Sequence, residues 1–222
     1  MLRSGAWLCL ALLATSLAGP GQGHQDIAMV PVALGARVLN VARHEVTVAD
    51  WNSCVVAGAC DSLAPRVADT IRTPMTGINW FDVQDYLAWH NRTHATQVRL
   101  PTADEWRAVS RKPEPVPRKP LFDDPRLAWA ANYGQEETPR GPVRLQGAWG
   151  ETPNGIADMD GNVWEWTSTC ASPGAADNCP AMTVMGAHRT AISVFVRDAA
   201  SGGCATGLPP THIGFRLVAD PP

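Results

Sequence analysis

Apolar residues recur at helical spacing in three stretches of the chain, each directly after a residue that can cap a helix. The first stretch follows Thr47, with Asp50 at the third helical position and Gly58 as the expected end. Its apolar positions, at i, i+3 and i+7, are Val48, Trp51 and Val55. This pattern predicts a short helix with one face toward the core.

Two longer patterns of the same kind follow. Asn79 precedes a helix expected to run to about residue 91, with Asp82 as the acid of its first turn. Its inward positions are Val83, Tyr86, Leu87 and His90. Thr102 and Glu105 form the Thr-x-x-Glu capping box of a third helix, whose inward positions are Trp106 and Val109.

Strand patterns are shorter and lie at both ends of the chain. Alternating apolar residues predict a strand over 38–46, and short apolar runs predict strands over 191–196 and 213–218. Residues 24–31 are expected to be a frayed N-terminal segment. Few helices, short strands and much loop together predict an α+β fold with high irregular content.

The densest cluster of turn formers, carboxylates and tryptophans lies at residues 154–166, which read Asn-Gly-Ile-Ala-Asp-Met-Asp-Gly-Asn-Val-Trp-Glu-Trp. Trp164 and Trp166 are two apart, so on an extended chain they share a face and Glu165 points away. Asp158 and Glu165 are hard oxygen ligands around a bent backbone, which suits calcium. A tight turn with an aromatic anchor and solvated acids explains the same pattern, and the stretch alone favours that interpretation.

The N-terminus has the features of a secretory signal. Arg3 precedes an apolar run that ends in Ser16-Leu17-Ala18, and the run is too short to span a membrane. We expect residues 1–18 to be a signal peptide, 19–37 a mature N-terminal segment and 38–222 one domain. The protein would then be periplasmic or secreted, without a membrane span.

Composition narrows the class of partner. The 222 residues are 45% hydrophobic, enough for one sizeable core. A net charge of −3 gives no electrostatic case for nucleic acid or an anionic membrane. A monomer that acts on an exported protein, a peptide or a small metabolite is the expectation.

Cysteine spacing agrees with export. Two pairs close short loops, and an oxidising compartment favours a disulfide in each: Cys54 with Cys60, and Cys170 with Cys179. Cys204 is left over, and a buried free thiol is favoured for it over a reactive or metal-binding one.

Three motifs occur in order along the chain: Arg99-Leu-Pro-Thr-Ala-Asp-Glu-Trp106, Asp158-Met-Asp-Gly-Asn-Val-Trp-Glu-Trp166 and Gly214-Phe-Arg216. Together they resemble the formylglycine-generating enzyme family, also called sulfatase-modifying factors. His44-Glu-Val-Thr-Val-Ala-Asp-Trp51 resembles that family's first helix entry. The resemblance covers residues 38–219 and implies an irregular C-type-lectin-like fold, held by calcium and a tryptophan-rich core.

The resemblance also implies ligands. The calcium loop would use the side chains of Asp158 and Glu165 with two backbone carbonyls, those of Gly161 and Val163. Trp164 would line the core or the groove in which a cofactor or substrate is held. A second calcium segment is implied at Ala131-Asn-Tyr133, where Asn132 would offer its side chain and Tyr133 its carbonyl, although the other ligands of that site are not recognisable.

The family's best-known activity does not carry over. It uses molecular oxygen to oxidise a cysteine of an unfolded sulfatase to formylglycine, and it needs two cysteines that bind copper(I) between the Trp-Glu-Trp and Gly-Phe-Arg motifs. Soft thiolates are the ligands that suit copper(I). This sequence has no cysteine from 180 to 203, so the fold is expected without that chemistry.

Two histidines are candidates to replace the missing thiols. His188 follows Gly186, which resembles the glycine before the family's active segment, and His212 closely precedes the Gly-Phe-Arg motif. Together they would seat copper, iron or zinc, completed by Asp198 or water. Alternatively, a neutral His188 would act as a general base beside Arg189, or the two histidines are unrelated surface residues.

Two classes of function remain open from the sequence. One is an exported accessory or maturation factor, including a metal-dependent oxidoreductase, that acts on another exported protein or metabolite. Family members without the cysteine pair that support it include the C-terminal domain of ergothioneine-type sulfoxide synthases and a periplasmic pyoverdine-maturation protein. The alternative is a non-catalytic ligand- or protein-binding module on the C-type-lectin-like fold.

Overall fold

The computed structural model describes residues 27–63, 71–111, 143–170, 179, 182–186, 195–196 and 212–221. Within these ranges the chain forms, in order, β1 (Met29–Leu34), β2 (Arg37–Ala42), α1 (Val48–Val56), α2 (Trp80–Thr93), α3 (Ala103–Ser110), β3 (Trp164–Cys170), β4 (Met182–Gly186), β5 (Phe195–Val196), β6 (Ile213–Phe215) and β7 (Val218–Ala219). No helix in these ranges has the length and hydropathy needed to cross a bilayer.

All three helices begin where the capping patterns predict. Thr47, Asn79 and Thr102 each accept the backbone N–H of the third helical residue, whose carboxylate accepts the cap's own N–H in return. The reciprocal bonds satisfy amides that a helix start otherwise leaves unpaired. α2 extends to Thr93, two residues beyond the expected end.

The N-terminal prediction is wrong for residues 29–31, which belong to strand β1. This strand pairs antiparallel with β2 from Met29↔Ala42 to Leu34↔Arg37 around a turn in which Gly35 has φ 64°. Pairing satisfies the backbone of these residues, and Val32 is buried beneath them. β2 is also shorter than the predicted strand 38–46, because Val46 leaves the hairpin and donates its N–H to the Phe215 carbonyl.

The predicted closing strand 213–218 is two strands in two different sheets. β6 pairs parallel with β3 in the sheet of order β5-β4-β3-β6, whereas β7 pairs antiparallel with β2 in the sheet of order β1-β2-β7. The chain crosses between the sheets at Arg216 and Leu217. Of the predicted strand 191–196, residues 195–196 form β5 and the others lie outside the described residues.

Strand β3 separates two hydrophobic clusters. Trp166 belongs to the first cluster, which also contains Trp51, Tyr86 and Phe215, and Trp164 packs against it. The second cluster contains Leu39, Trp106 and Ile156. Glu165 points to the opposite side from the two tryptophans, where its carboxylate accepts the Trp106 indole N–H at 2.8 Å. The predicted alternation along this strand is confirmed.

Both predicted disulfides are present in the structure. Cys54 is bonded to Cys60 and Cys170 to Cys179, with Cα–Cα distances of 5.3 and 5.7 Å. Cys204 lies outside the described residues.

Glu105 joins the first turn of α3 to strand β2 and to the segment that precedes the helix. Its side chain, 3% exposed, accepts bonds from the Arg99 guanidinium at 2.7 and 2.9 Å and from the Thr102 N–H at 2.8 Å. Arg37 of β2 lies 2.8 Å away. The bonds from Arg99 are the main reason that the pKa of this carboxyl is lowered to about 2.

Because that pKa is lowered from 4.5, the stabilisation is present above pH 4.5 and is lost as the pH falls toward 2. We expect Glu105→Gln to lower the free energy of unfolding by about 1–3 kcal/mol at neutral pH, with the difference from wild type shrinking below about pH 4.5. Urea unfolding across pH 3–7 measures it. Asp104→Asn, at a neighbouring carboxylate that is 92% exposed, is the control and should have little effect. A Glu105→Gln deficit that stays constant over this pH range would contradict the assignment.

Candidate functional site

The turn before β3 is held by donors from the protein itself. Asp158 has φ 63°, and its carboxylate accepts the backbone N–H groups of Gly147 and Trp149. The Trp149 ring lies against Gly161 so closely that an added Cβ would be 2.6 Å from two ring carbons. Glycine is therefore required at 161 by the approach of the indole.

Arg216 is the centre of the bonds beneath this turn. Its side chain is 1% exposed, and each of its three nitrogens donates. Nη1 reaches the carbonyls of Ala42 and Arg43 at 3.0 and 2.9 Å, and Nη2 reaches the Ala157 carbonyl at 3.0 Å. Nη2 also donates to Glu165 Oε1 at 2.8 Å, while Nε shares both carboxylate oxygens at 3.2–3.3 Å. One side chain thus connects the end of β2, the Asp158 turn and β3.

A second buried acid lies beside this pair. Glu45 is 2% exposed and its Oε2 is 3.8 Å from Arg216 Nη2, yet neither carboxylate oxygen has a hydrogen-bond partner among the described residues. Burial raises the pKa of Glu45 to about 8, against the opposing attraction of Arg216. Burial therefore favours the protonated form of this carboxyl, and the charge of Arg216 is matched first by Glu165, which it bonds directly.

The groups predicted to bind calcium are engaged with protein groups in this arrangement. Both oxygens of Asp158 and both of Glu165 accept N–H donors, and the Gly161 carbonyl accepts the Val163 N–H at 3.0 Å. The Val163 carbonyl lies against strand β4, where a Cβ on Gly186 would be 2.8 Å from it. Within the described ranges, no three His, Cys, Asp or Glu side chains are grouped to hold a metal. These residues as arranged do not fit an open calcium cage. Asn132 and Tyr133 lie outside the described residues.

Trp164 and His212 are brought together by the parallel pairing of β3 with β6. Trp164 donates its backbone N–H to the His212 carbonyl at 2.9 Å, directly before the Trp164↔Ile213 pair of the ladder. His188, Arg189 and Asp198 lie outside the described residues, so the proposed histidine pair stays a prediction.

The sequence places Arg216 in the Gly-Phe-Arg motif, but the motif does not predict that its side chain pairs with Glu165 in the core. The signal was present in β3, since a carboxylate that alternates with two core-facing tryptophans has to be paired or hydrogen-bonded when it is itself buried. Neither the partner nor the neighbouring Glu45 could be identified from spacing, because 51 residues separate Glu165 from Arg216.

His212 is buried, with 9% of its surface exposed, and burial lowers its pKa to about 4. The imidazole is then neutral at physiological pH, with the lone pair needed for proton transfer or metal binding.

We expect the His212 ring signals in NMR to stay unchanged from pH 8 to about 5.5 and to titrate with a midpoint near 4. The ring in urea-unfolded protein should titrate near the ordinary histidine pKa of 6.5. Stability from this group is complete above 6.5 and decreases as the pH falls toward 4. A folded-state midpoint at or above 6 would show that the ring is solvated.

Comparison with known proteins identifies a family that matches most of the chain. Residues 22–221 match the family described as "Sulfatase-modifying factor enzyme 1-like domain". The formylglycine-generating enzyme of Mycobacterium tuberculosis is 29% identical, with 84% of this chain and 73% of that protein covered. The inactive C-alpha-formylglycine-generating enzyme 2 of Mus musculus is also 29% identical, over 50% of this chain and 37% of its own length.

Two solved structures are similar in fold at low sequence identity. PvdO from Pseudomonas aeruginosa has a TM-score of 0.59 at 18% identity, covering 84% of this chain and 82% of its own. Treponema denticola variable protein 1 has a TM-score of 0.53 at 17% identity, covering 87% and 95%. The predicted fold class is confirmed, and the chain belongs to the sulfatase-modifying factor enzyme 1-like domain family.

Proposed function

We propose that this chain is an exported accessory or maturation factor that acts on another exported protein or a metabolite, and that it does not generate formylglycine. The observation that carries the proposal is the pairing of the cysteines near the site. From β3 to the C-terminus the sequence contains three cysteines, and two of them, Cys170 and Cys179, form a disulfide. Cys204 alone remains, and one thiolate cannot supply the two soft ligands of a linear copper(I) site.

The similarity to a relative named as inactive supports the same conclusion. The mouse protein is a family member whose name describes it as an inactive formylglycine-generating enzyme, and it matches half of this chain. Membership of the family is thus compatible with a chain that lacks the oxidation chemistry.

A neutral His212 beside Trp164 is the remaining reactive group that the structure describes at this edge of the sheet. Its lowered pKa keeps the imidazole neutral, which is the form that accepts a proton or binds a metal. Copper or iron, if bound by His188 and His212, would supply redox chemistry there. Within the described residues, the contribution of the protein is to hold the His212 backbone against β3 and to keep the ring from solvent.

Export is supported by the two disulfides, which persist in oxidising compartments and are uncommon in reducing ones. A periplasmic or secreted monomer would meet its target there. The target is proposed only by class, as an exported protein, a peptide or a small metabolite.

We expect no formylglycine when copper-loaded protein is incubated with oxygen and a sulfatase-type cysteine peptide. Mass spectrometry of the peptide measures the conversion, with the Mycobacterium tuberculosis relative as the positive control. A Cys204→Ser variant should behave like the wild type, because the proposal gives that thiol no part in such a reaction. An aldehyde product that disappears in Cys204→Ser would overturn the proposal.

Crosslinking in the native exported compartment, followed by purification, distinguishes a maturation factor from a passive binding module. A captured partner that is chemically altered by wild type and left unaltered by His212→Asn supports the maturation role. Thr96→Ala, in the loop after α2, is the control variant and should retain both capture and turnover. Capture without any change in the partner would favour the binding module.

A further inference from the structure

We infer that the turn at residues 158–163 is fixed by donors from the protein, the guanidinium of Arg216 among them, and that it does not form a calcium site in this chain. The inference concerns how the domain is held together, and it does not depend on the proposed function. It rests on four groups: the carboxylates of Asp158 and Glu165, the carbonyl oxygens of the turn, and the Arg216 side chain that underlies them.

Both carboxylate oxygens of Glu165 already accept hydrogen bonds from the protein. One of its oxygens accepts Nη2 of Arg216 at 2.8 Å, and the other accepts the Trp106 indole N–H at 2.8 Å. Nε of Arg216 bridges both oxygens. A carboxylate whose two oxygens face a guanidinium and an indole has its charge neutralised already, and a cation would have to displace one of those donors.

The oxygen atoms of the turn also have donors of their own. Calcium requires six to eight oxygen atoms directed at one point. Here the Asp158 oxygens are directed at the amides of Gly147 and Trp149, and the Gly161 carbonyl at the amide of Val163. Each of these oxygens thus already accepts a hydrogen bond from a backbone donor of its own.

The positive charge of Arg216 also opposes a bound cation. Arg216 is fully buried, and its favourable electrostatic partners include the carboxylates of Glu165 and Asp158. A divalent cation among the same carboxylates would face this guanidinium in a medium of low dielectric constant, where like charges repel strongly. The three carbonyls that Arg216 bonds, those of Ala42, Arg43 and Ala157, hold the guanidinium in place.

Glu45 is the residue whose surroundings would favour a bound metal. Its carboxyl oxygens have no hydrogen-bond partner among the described residues, and its Oε2 lies 3.8 Å from Arg216 Nη2. The test therefore includes this residue, because a cation held by Glu45 with Asp158 would appear as binding that Glu45→Gln abolishes.

The experiment uses the full exported chain, freed of metal with EGTA and returned to metal-free buffer. Thermal melts with and without millimolar calcium chloride, and calorimetric titration with calcium, measure the effect. We expect a melting temperature that changes by less than about 1 °C and no saturable heat, since a ligand that binds only the folded state raises its stability.

Asp158→Asn and Glu45→Gln locate any binding that does occur. A calcium-dependent rise in melting temperature that both variants retain arises elsewhere on the molecule and leaves the inference standing. Stoichiometric binding to wild type that either variant abolishes overturns it. Absence of saturable binding to wild type supports the inference without the variants. If wild type binds calcium and a variant fails to fold, amide hydrogen exchange of wild type with and without calcium decides between the two sites, and a calcium-dependent gain in protection at residues 158–163 overturns the inference.

Discussion

The buried pair of Arg216 and Glu165 is the interaction on which the rest of this structure depends. It connects elements that are far apart in sequence, because the guanidinium bonds the end of β2, the Asp158 turn and β3, and the carboxylate extends the connection to α3 through Trp106. Burying two charges is costly unless every donor and acceptor is satisfied, and here each guanidinium nitrogen has a partner. The longest strand among the described residues has seven residues. A side chain that bonds three separate segments therefore adds connections that the pairing of such short strands does not supply.

The same residue fixes the geometry of the candidate site. Arg216 lies where the chain leaves β6, paired with β3, and enters β7, paired with β2. Anchoring that crossing sets the position of β6 along β3, and hence of His212 against Trp164. β6 also lies close to the segment before α2, which requires glycine at 214, since a Cβ there would be 2.8 Å from the Met75 carbonyl oxygen. The position of the neutral imidazole thus follows from a core ion pair and a glycine.

Local signals in the sequence were sufficient for the helices and for the alternation along β3. Capping boxes such as Thr102 with Glu105 are encoded within four residues, and so is the separation of Trp164 and Trp166 from Glu165. The two sheets were not predictable in this way. Residues 213–218 read as one apolar strand, and the split at Arg216 depends on a carboxylate 51 residues earlier. The donors around Asp158 and Glu165 could not be predicted either, because residue types indicate possible ligands whereas tertiary contacts decide which donors reach them.

A double-mutant cycle on Arg216 and Glu165, read by urea unfolding at neutral pH, tests the central claim most directly. Arg216→Met and Glu165→Gln should each cost about 3–5 kcal/mol, because each leaves a buried charge without its partner. The double variant should show a coupling energy of about 2 kcal/mol or more, while remaining less stable than wild type, because the carbonyls of Ala42, Arg43 and Ala157 still lack donors. Additive effects, or single substitutions that each cost under about 1 kcal/mol, would show that the pair does not organise the fold.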